Sequence, residues 1–417
     1  MTSVPPQILF VSHDASATGA PNSLLNFLDW NVEHRKCGFR ILLLDGGPLE
    51  EEFAKRGPTT VIRQSDTGLI YLLSRTWTKV RRALGHAELS HSRWKPSRFE
   101  QSRVDSCLAG FKTDLIYINS IAAAPVLACL KRLDAPVLTF LREMEEQVDK
   151  SRDTGWLEPL IERTKAFIAV SDAAKRHMVN QHGLPEEKFT VIKPFIDTNK
   201  LQASRRTECR AALIQRAGLK QADFIVAGCG TTNWRKGSDL FIAIARIFFE
   251  NMVSDRTVFI WIGGLHSTTE RLQVAHDIRL AGLEDRVIFI GAQRDAATLV
   301  SGADVLAVTS REEPFARVML EAGLGRCPVV CFEDSGGPPE FAANAGGTAV
   351  PYLSVNAFAA ALQRLRQDEA LRAALGDRAY HTVLEHHDVQ PGAKRVFAVV
   401  ESLVSRSSAK IIAASAS

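Results

Sequence analysis

Short, continuous apolar runs separated by longer stretches with helical spacing recur along this chain, and they do so twice. The first series is Ile8–Val11, Phe39–Leu44, Thr60–Arg63, Leu115–Ile118, Val137–Leu141 and Phe167–Val170. The second is Phe224–Ala227, Val258–Ile262, Val287–Ile290, Val305–Val308 and Val329–Phe332. A strand with one wet face alternates apolar and polar residues, whereas a strand covered on both faces reads as an uninterrupted apolar run. Segments between them, such as Asp239–Glu250 and Ala357–Arg366, carry apolar residues at helical spacing. Repeated strand–helix units imply parallel sheets with helices on both faces. The expected fold class is α/β, two doubly wound, Rossmann-like domains facing a cleft.

The domain expectation follows: 1–198 for the first and 199–388 for the second, with Lys193–Asp197 and the polar, basic stretch Asn199–Arg210 as the hinge. Val389–Val404 is one more helical pattern with no strand after it, and the Ser/Ala-rich residues 405–417 are expected to fray. Apolar residues make up 46% and charged residues 24% of the 417, which excludes a disordered chain, collagen or a disulfide scaffold. A net charge of +4 is too small to imply a nucleic-acid partner. The seven cysteines are an odd number with no C-x-x-C pair, so they read as reduced thiols in a cytosolic setting. No stretch approaches the ~20 apolar residues of a membrane helix, and Met1–Gln7 has no basic leader region. A cytoplasmic protein is expected, or one resting on the inner face of the plasma membrane. The second option comes from Arg75–Arg103, where eight Lys/Arg stand against two Glu with Trp77, Trp94 and Phe99 interleaved. That segment reads either as a solvated insertion or as a patch for anionic lipid or a phosphate-bearing acceptor.

Ligands of doubly wound sheets bind beyond the carboxyl ends of strands, so the loops after strands hold the chemistry. After the first strand come His13 and then Gly19-Ala20-Pro21, where a backbone can be approached and a helix expected near Pro21 exposes N–H groups to an anion. The spacing is not G-x-G-x-x-G, so a nicotinamide cofactor is not supported. In the second series Arg235 and Lys236 precede a helix that Ser238 or Asp239 is expected to cap. Two cations oppose the helix macrodipole at that end and make sense if a diphosphate sits there, Lys as a point charge and Arg as a fork. Further on, a strand is expected to end at Ser310, with Pro314 in a helix first turn and Glu313 at its mouth. Glu321, eight residues on, would lie two turns later on nearly the same side. It interrupts an apolar helix, and a partly buried carboxylate needs partners, such as sugar hydroxyls; a solvent-facing glutamate is the plainer reading. Gly336-Gly337-Pro338-Pro339-Glu340 forms another close-approach loop at an anion-ready helix start.

Together these pieces resemble family 4 of the retaining glycosyltransferases, whose two-domain fold is called GT-B. The signposts are Val11-Ser12-His13 with Gly19-Ala20-Pro21, Val170-Ser171-Asp172, Arg235-Lys236-Gly237, Gly291, Ser310 with Glu313-x7-Glu321, and Gly336 to Glu340. The resemblance implies a nucleotide-sugar donor bound mainly by the second domain. Lys236 and Arg235 would hold its diphosphate with backbone N–H groups near Phe315 and Ala316, Glu313 the transferred sugar and Glu321 the ribose. Ser310, Gly336 and Gly337 would line the donor, and the Gly19 loop would close over the phosphates. The helix at 389–404 would cross back onto the first domain. Many members carry a His after the strand corresponding to Val137–Leu141. This chain has Arg142 and Glu143, expected to meet donor phosphate or acceptor, with His13 and Asn119 near them.

The implied reaction is metal-independent hexosyl transfer with retention, needing no cofactor, to a glycan or lipid-linked acceptor in lipopolysaccharide or exopolysaccharide synthesis. Two alternatives stay open: a GT-B protein that binds nucleotide sugar or glycan without turnover, and a sugar-nucleotide epimerase of the same fold.

Overall fold

The computed structural model describes residues 5–63, 94–199, 206–250, 256–264 and 267–415. The basic segment from Arg75 lies outside them as far as Arg93. Among the described residues thirteen strands form two sheets, parallel throughout. The first contains β1 (Gln7–Ser12), β2 (Gly38–Asp45), β3 (Thr59–Arg63), β4 (Leu115–Ile118), β5 (Val137–Leu141), β6 (Thr164–Ala169) and β7 (Phe189–Val191), in the order β3-β2-β1-β4-β5-β6-β7. The second contains β8 (Phe224–Cys229), β9 (Thr257–Ile262), β10 (Val287–Phe289), β11 (Val305–Val308), β12 (Val329–Phe332) and β13 (Thr348–Val350), in the order β10-β9-β8-β11-β12-β13.

Every apolar run expected to be a strand is one. β7 and β13 carry no such signal, because each is a three-residue edge strand that is only partly buried. In both sheets the strand order reverses once, between β1 and β4 and between β8 and β11. These are the topological switch points, where loops from adjacent strands diverge and leave a crevice. Parallel pairing thus decides which loops become neighbours.

Contacts divide the chain into two compact units. Unit 1 holds the chain through Ala169, then His177–Ile192 and Ala393–Ser417; unit 2 holds Val170–Arg176 and Lys193–Gly392. In unit 1 the helix Gly19–His34 buries Leu24, Phe27, Leu28 and Trp30, and Phe27 meets Phe10 edge-on at 5.8 Å. The final helix adds Val396 and Phe397 to the same core, with Phe397 6.1 Å from Trp30. That helix runs Val389–Ser415, past the residues expected to fray, because Ala, Lys and Ile in this stretch are compatible with helix. Unit 2 is centred on Phe241, Phe248, Phe259 and Trp261.

Two short stretches join unit 2 for identifiable reasons. Pro194 takes a hydrogen bond from His387 at 2.7 Å, and the Thr198 hydroxyl donates to Asp388 at 2.6 Å, which carries Lys193–Thr198 along. The Glu340 carboxylate accepts the N–H groups of Asp172 (3.1 Å) and Ala173 (2.7 Å). A negative charge at the start of the helix Asp172–His182 is favoured by its dipole.

The base of the second switch point is tied by Asp304. Its carboxylate accepts the Ile225 N–H at 2.8 Å and pairs with Arg210 at 2.7 Å and Arg206 at 3.2 Å, while its own N–H donates to the Ile225 carbonyl. Removing one member of a buried ion network leaves the others unpaired. Asp304→Ala should therefore lower the stability of unit 2 by about 2–3 kcal/mol, the lower side of the buried range because both arginines keep some solvent. Chemical denaturation of the variant, followed by fluorescence, checks this.

Candidate active site

At the second switch point the chain leaves β8 at Cys229 and makes a single 3-10 turn, Trp234–Lys236. Asn233 caps that turn by accepting the Lys236 N–H at 2.9 Å. Gly237 follows at φ +66°, and a side chain there would collide with the Thr309 carbonyl. From Gly237 the chain enters the helix Ser238–Phe249. The Thr309 hydroxyl, just after β11, donates to the carbonyls of Lys236 (3.1 Å) and Gly237 (2.9 Å). Arg311 donates its N–H to the Arg235 carbonyl at 2.8 Å. The two loops are therefore stitched together before any charged side chain is considered.

Glu313 stands where they meet. Its Oε2 lies 3.2 Å from the Arg235 guanidinium and in contact with the Lys236 ammonium. Burial pushes its carboxyl up, but the charges and hydrogen bonds of Lys236 and Arg235 outweigh burial and hold it below the ordinary glutamate range. Its backbone is fixed as well: the N–H donates to Ser335 O at 2.7 Å and the carbonyl accepts from Gly337 at 2.9 Å, a parallel bridge to the loop after β12. Cys229, Lys236, Trp261, Ser310, Ala316 and Val318 line a recess beside this triad. The N–H groups of Phe315 and Ala316 donate to no carbonyl among the described residues. The Glu321 carboxylate, in the helix Val318–Leu324, pairs with the Arg317 guanidinium at 3.3 Å. Burial pushes its carboxyl above the glutamate range, against the pull of Arg317.

Unit 1 gathers a second group at the carboxyl ends of β1, β4 and β5. His13 pairs with Asp14 through Nε2 at 3.3 Å, while its buried Nδ1 has no hydrogen-bond partner among the described residues. Asn119 donates to the Ala20 carbonyl at 2.9 Å, fixing the start of the Gly19–His34 helix. Arg142 donates to Asn119 O at 3.0 Å and Oδ1 at 3.2 Å and stacks 3.8 Å over Phe140. Glu143 is buried and accepts from the Ser120 hydroxyl and the Arg142 (2.8 Å) and Ile121 (3.4 Å) N–H groups. Burial is the largest influence on its carboxyl and pushes it up. Gly19 is open: among the described residues, nothing outside its own helix backbone and chain neighbours lies within 4 Å of where a side chain would start.

The family described as Glycosyl transferases group 1 matches residues 210–382, and that described as Glycosyltransferase Family 4 matches 49–200. The chain belongs to these glycosyltransferases. A D-inositol 3-phosphate glycosyltransferase of Kineococcus radiotolerans is 29% identical over 236 residues, 53% of this chain and 54% of that protein. The chain spans about half the length of the curated relatives it matches. Among solved structures, HepE of Anabaena in complex with UDP and glucose superposes with a TM-score of 0.73 at 20% identity, over 95% of this chain and 100% of that one. WaaG, a glycosyltransferase involved in lipopolysaccharide biosynthesis, gives 0.67 at 16%, over 93% and 98%. The fold is GT-B.

Several sequence expectations need correction. Pro314 does not open a helix: residues 313–317 are irregular and the helix starts at Val318, because the Glu313 backbone is committed to Gly336. Glu313 and Glu321 are thus not two turns of one helix, and β11 ends at Val308 rather than Ser310. Neither Ser238 nor Asp239 caps; Asp239 turns to Arg311 in a two-bonded clamp at 2.9 and 2.6 Å. The first helix begins at Gly19, two residues before Pro21. Gly336 has φ +115°, and a side chain on Gly337 would strike the Pro314 carbonyl. Gly337 is therefore required by close backbone packing within the protein and Gly336 by its backbone conformation. Thr309 and Arg311, which brace the site, carried no signal, since a hydroxyl and a guanidinium after a strand are common on any surface.

The site residue with the least support is Glu321. A raised folded pKa means the folded state prefers the protonated carboxyl, so stability falls as pH rises through the carboxylate range and the penalty is complete above the folded value. Glu321→Gln should therefore melt above the wild type at pH 8, with the difference closing as pH drops into the carboxylate range. Melting curves across pH check this; an unchanged or lower melting point at pH 8 means that the Arg317 pair outweighs burial.

Proposed function

We propose that this chain transfers a hexose from a nucleoside diphosphate sugar to a glycan or lipid-linked acceptor, with retention at the anomeric carbon. The observation that carries the reading is the Lys236–Arg235–Glu313 triad, braced at the switch point beside a small recess. Charge collects on the diphosphate as the bond to the sugar breaks. Lys236, Arg235 and the N–H groups of Phe315 and Ala316 are held where they stabilise that charge. Glu313 binds hydroxyls of the transferred sugar and Glu321 those of the ribose, with Ser310, Gly336 and Gly337 shaping the walls. In unit 1 the Gly19 loop and helix start offer open backbone of the kind that suits an anion. The departing phosphate oxygen takes the acceptor hydroxyl proton as the acceptor oxygen bonds to the anomeric carbon on the same face, so no separate base or metal is required. His13, Asn119, Arg142 and Glu143 shape the acceptor side, Glu143 and Asn119 by holding the loops.

The complexes of HepE with UDP and UDP-glucose support a uridine donor, and the involvement of WaaG in lipopolysaccharide biosynthesis supports cell-surface polysaccharide as the product class. Among the described residues no helix is long and apolar enough to cross a membrane. We place the protein at the cytoplasmic face, held by the basic segment 75–103 against anionic lipid.

Transfer or donor hydrolysis should be measured with UDP-, GDP- and ADP-sugars. Lys236→Ala and Glu313→Ala should each lose on the order of 10²-fold or more in turnover; wild-type rates in both would refute the assignment. Tight donor binding with no turnover on any acceptor would instead identify a binding protein. Neutralising Arg81, Arg82, Arg93 and Lys95 together should abolish flotation with anionic vesicles, and unchanged flotation discards the membrane contact.

A further inference from the structure

Lys236 and Arg235 already have an anion. Both converge on one oxygen of Glu313, Oε2. The Glu313 side chain is 7% exposed, and those of Lys236 and Arg235 are 16% and 20% exposed. Water and salt therefore screen the group weakly. The triad carries a net charge of +1, against +2 for the two cations alone. A carboxylate and a phosphoryl group ask the same thing of a Lys or Arg, namely charge-assisted donors to anionic oxygens. The Glu313 backbone is held on both sides by Ser335 and Gly337. Its carboxylate can then change partners only by turning about side-chain bonds, with no loop movement.

We infer that Glu313 is a built-in counter-anion that competes with the nucleoside diphosphate for Lys236 and Arg235, and so sets how tightly the leaving product is held. The inference rests on the nucleotide-sugar reading and deepens it. With donor bound, Glu313 turns to the sugar hydroxyls and leaves the cations to the diphosphate. After transfer the sugar is gone, the carboxylate has lost that partner, and it returns to Lys236 as the diphosphate leaves. One side chain thus links loss of the sugar to release of the nucleotide. The depressed carboxyl of Glu313 keeps it charged for both tasks across neutral pH.

The test uses nucleoside diphosphate without sugar, which separates this role from a sugar contact. UDP, GDP and ADP are titrated calorimetrically into the full-length wild type, Glu313→Gln, Glu313→Asp and Lys236→Met. One unit charge removed within about 6 Å of a weakly screened diphosphate is expected to tighten binding on the order of tenfold. Glu313→Gln should therefore bind the preferred diphosphate about tenfold more tightly and release it more slowly in stopped-flow displacement. Lys236→Met should bind it more weakly. Should Glu313→Gln fail to fold, Glu313→Asp is judged by the same sign, with a smaller gain as the shortened carboxylate draws back.

A folded Glu313 variant whose diphosphate affinity is unchanged or weaker overturns the inference, and leaves the nucleotide-sugar reading intact if Lys236→Met still weakens binding. A wild type that binds none of the three diphosphates overturns both.

Discussion

A carboxylate taken almost out of water costs several kcal/mol unless charged partners replace its hydration. In this chain that demand falls on Glu313, and much of the second unit's site is organised by meeting it. The partners, Arg235 and Lys236, come from the loop after β8, the carboxylate from the loop after β11, and its backbone is bridged to the loop after β12. Three loops are thereby fixed to one another by a single side chain and its peptide. Thr309 and the Arg311–Asp239 clamp brace the cationic turn from outside, so the cations point where the triad needs them rather than into solvent.

Unit 1 uses the same device with different chemistry. Glu143, just after β5, is buried and is held by a hydroxyl and two peptide N–H groups. Arg142, its neighbour, spends its donors on Asn119, which in turn holds the first helix. The arrangement makes Glu143 and Asn119 positioning residues for the loops around His13 and Gly19. In unit 2 the buried carboxylate holds cations in readiness for an anion; in unit 1 it holds backbone. The difference follows from what stands opposite: Ser120 and peptide groups here, Lys236 and Arg235 there.

The architecture was legible to a large degree, and for a simple reason. Strands covered on both faces must be apolar throughout, so β1 to β6 and β8 to β12 announce themselves, whereas three-residue edges such as β7 and β13 are under no such demand. The site was legible as a set of residues but not as an arrangement. Arg235 and Lys236 stood out because cations are poorly placed before a helix, and Glu321 because it breaks an apolar face. Their geometry was misread wherever local pattern was trusted. Pro314 suits a helix start, yet residues 313–317 are irregular because hydrogen bonds to Ser335 and Gly337 claim the backbone there. Asp239 suits a helix cap, yet a bidentate bond to Arg311 is stronger than a single peptide hydrogen bond.

From the order of amino acids alone one obtains the α/β class, the doubling of the fold, the loops that carry charge and the family they resemble, since each depends on composition and period within a short window. Which oxygen of Glu313 receives the two cations, why Gly337 has no side chain, and why Glu143 is spoken for depend on segments tens of residues apart. Those are brought side by side only when parallel strands pair and reverse their order. Local pattern is a property of neighbours in the chain, while the partner of a buried charge is a property of neighbours in space.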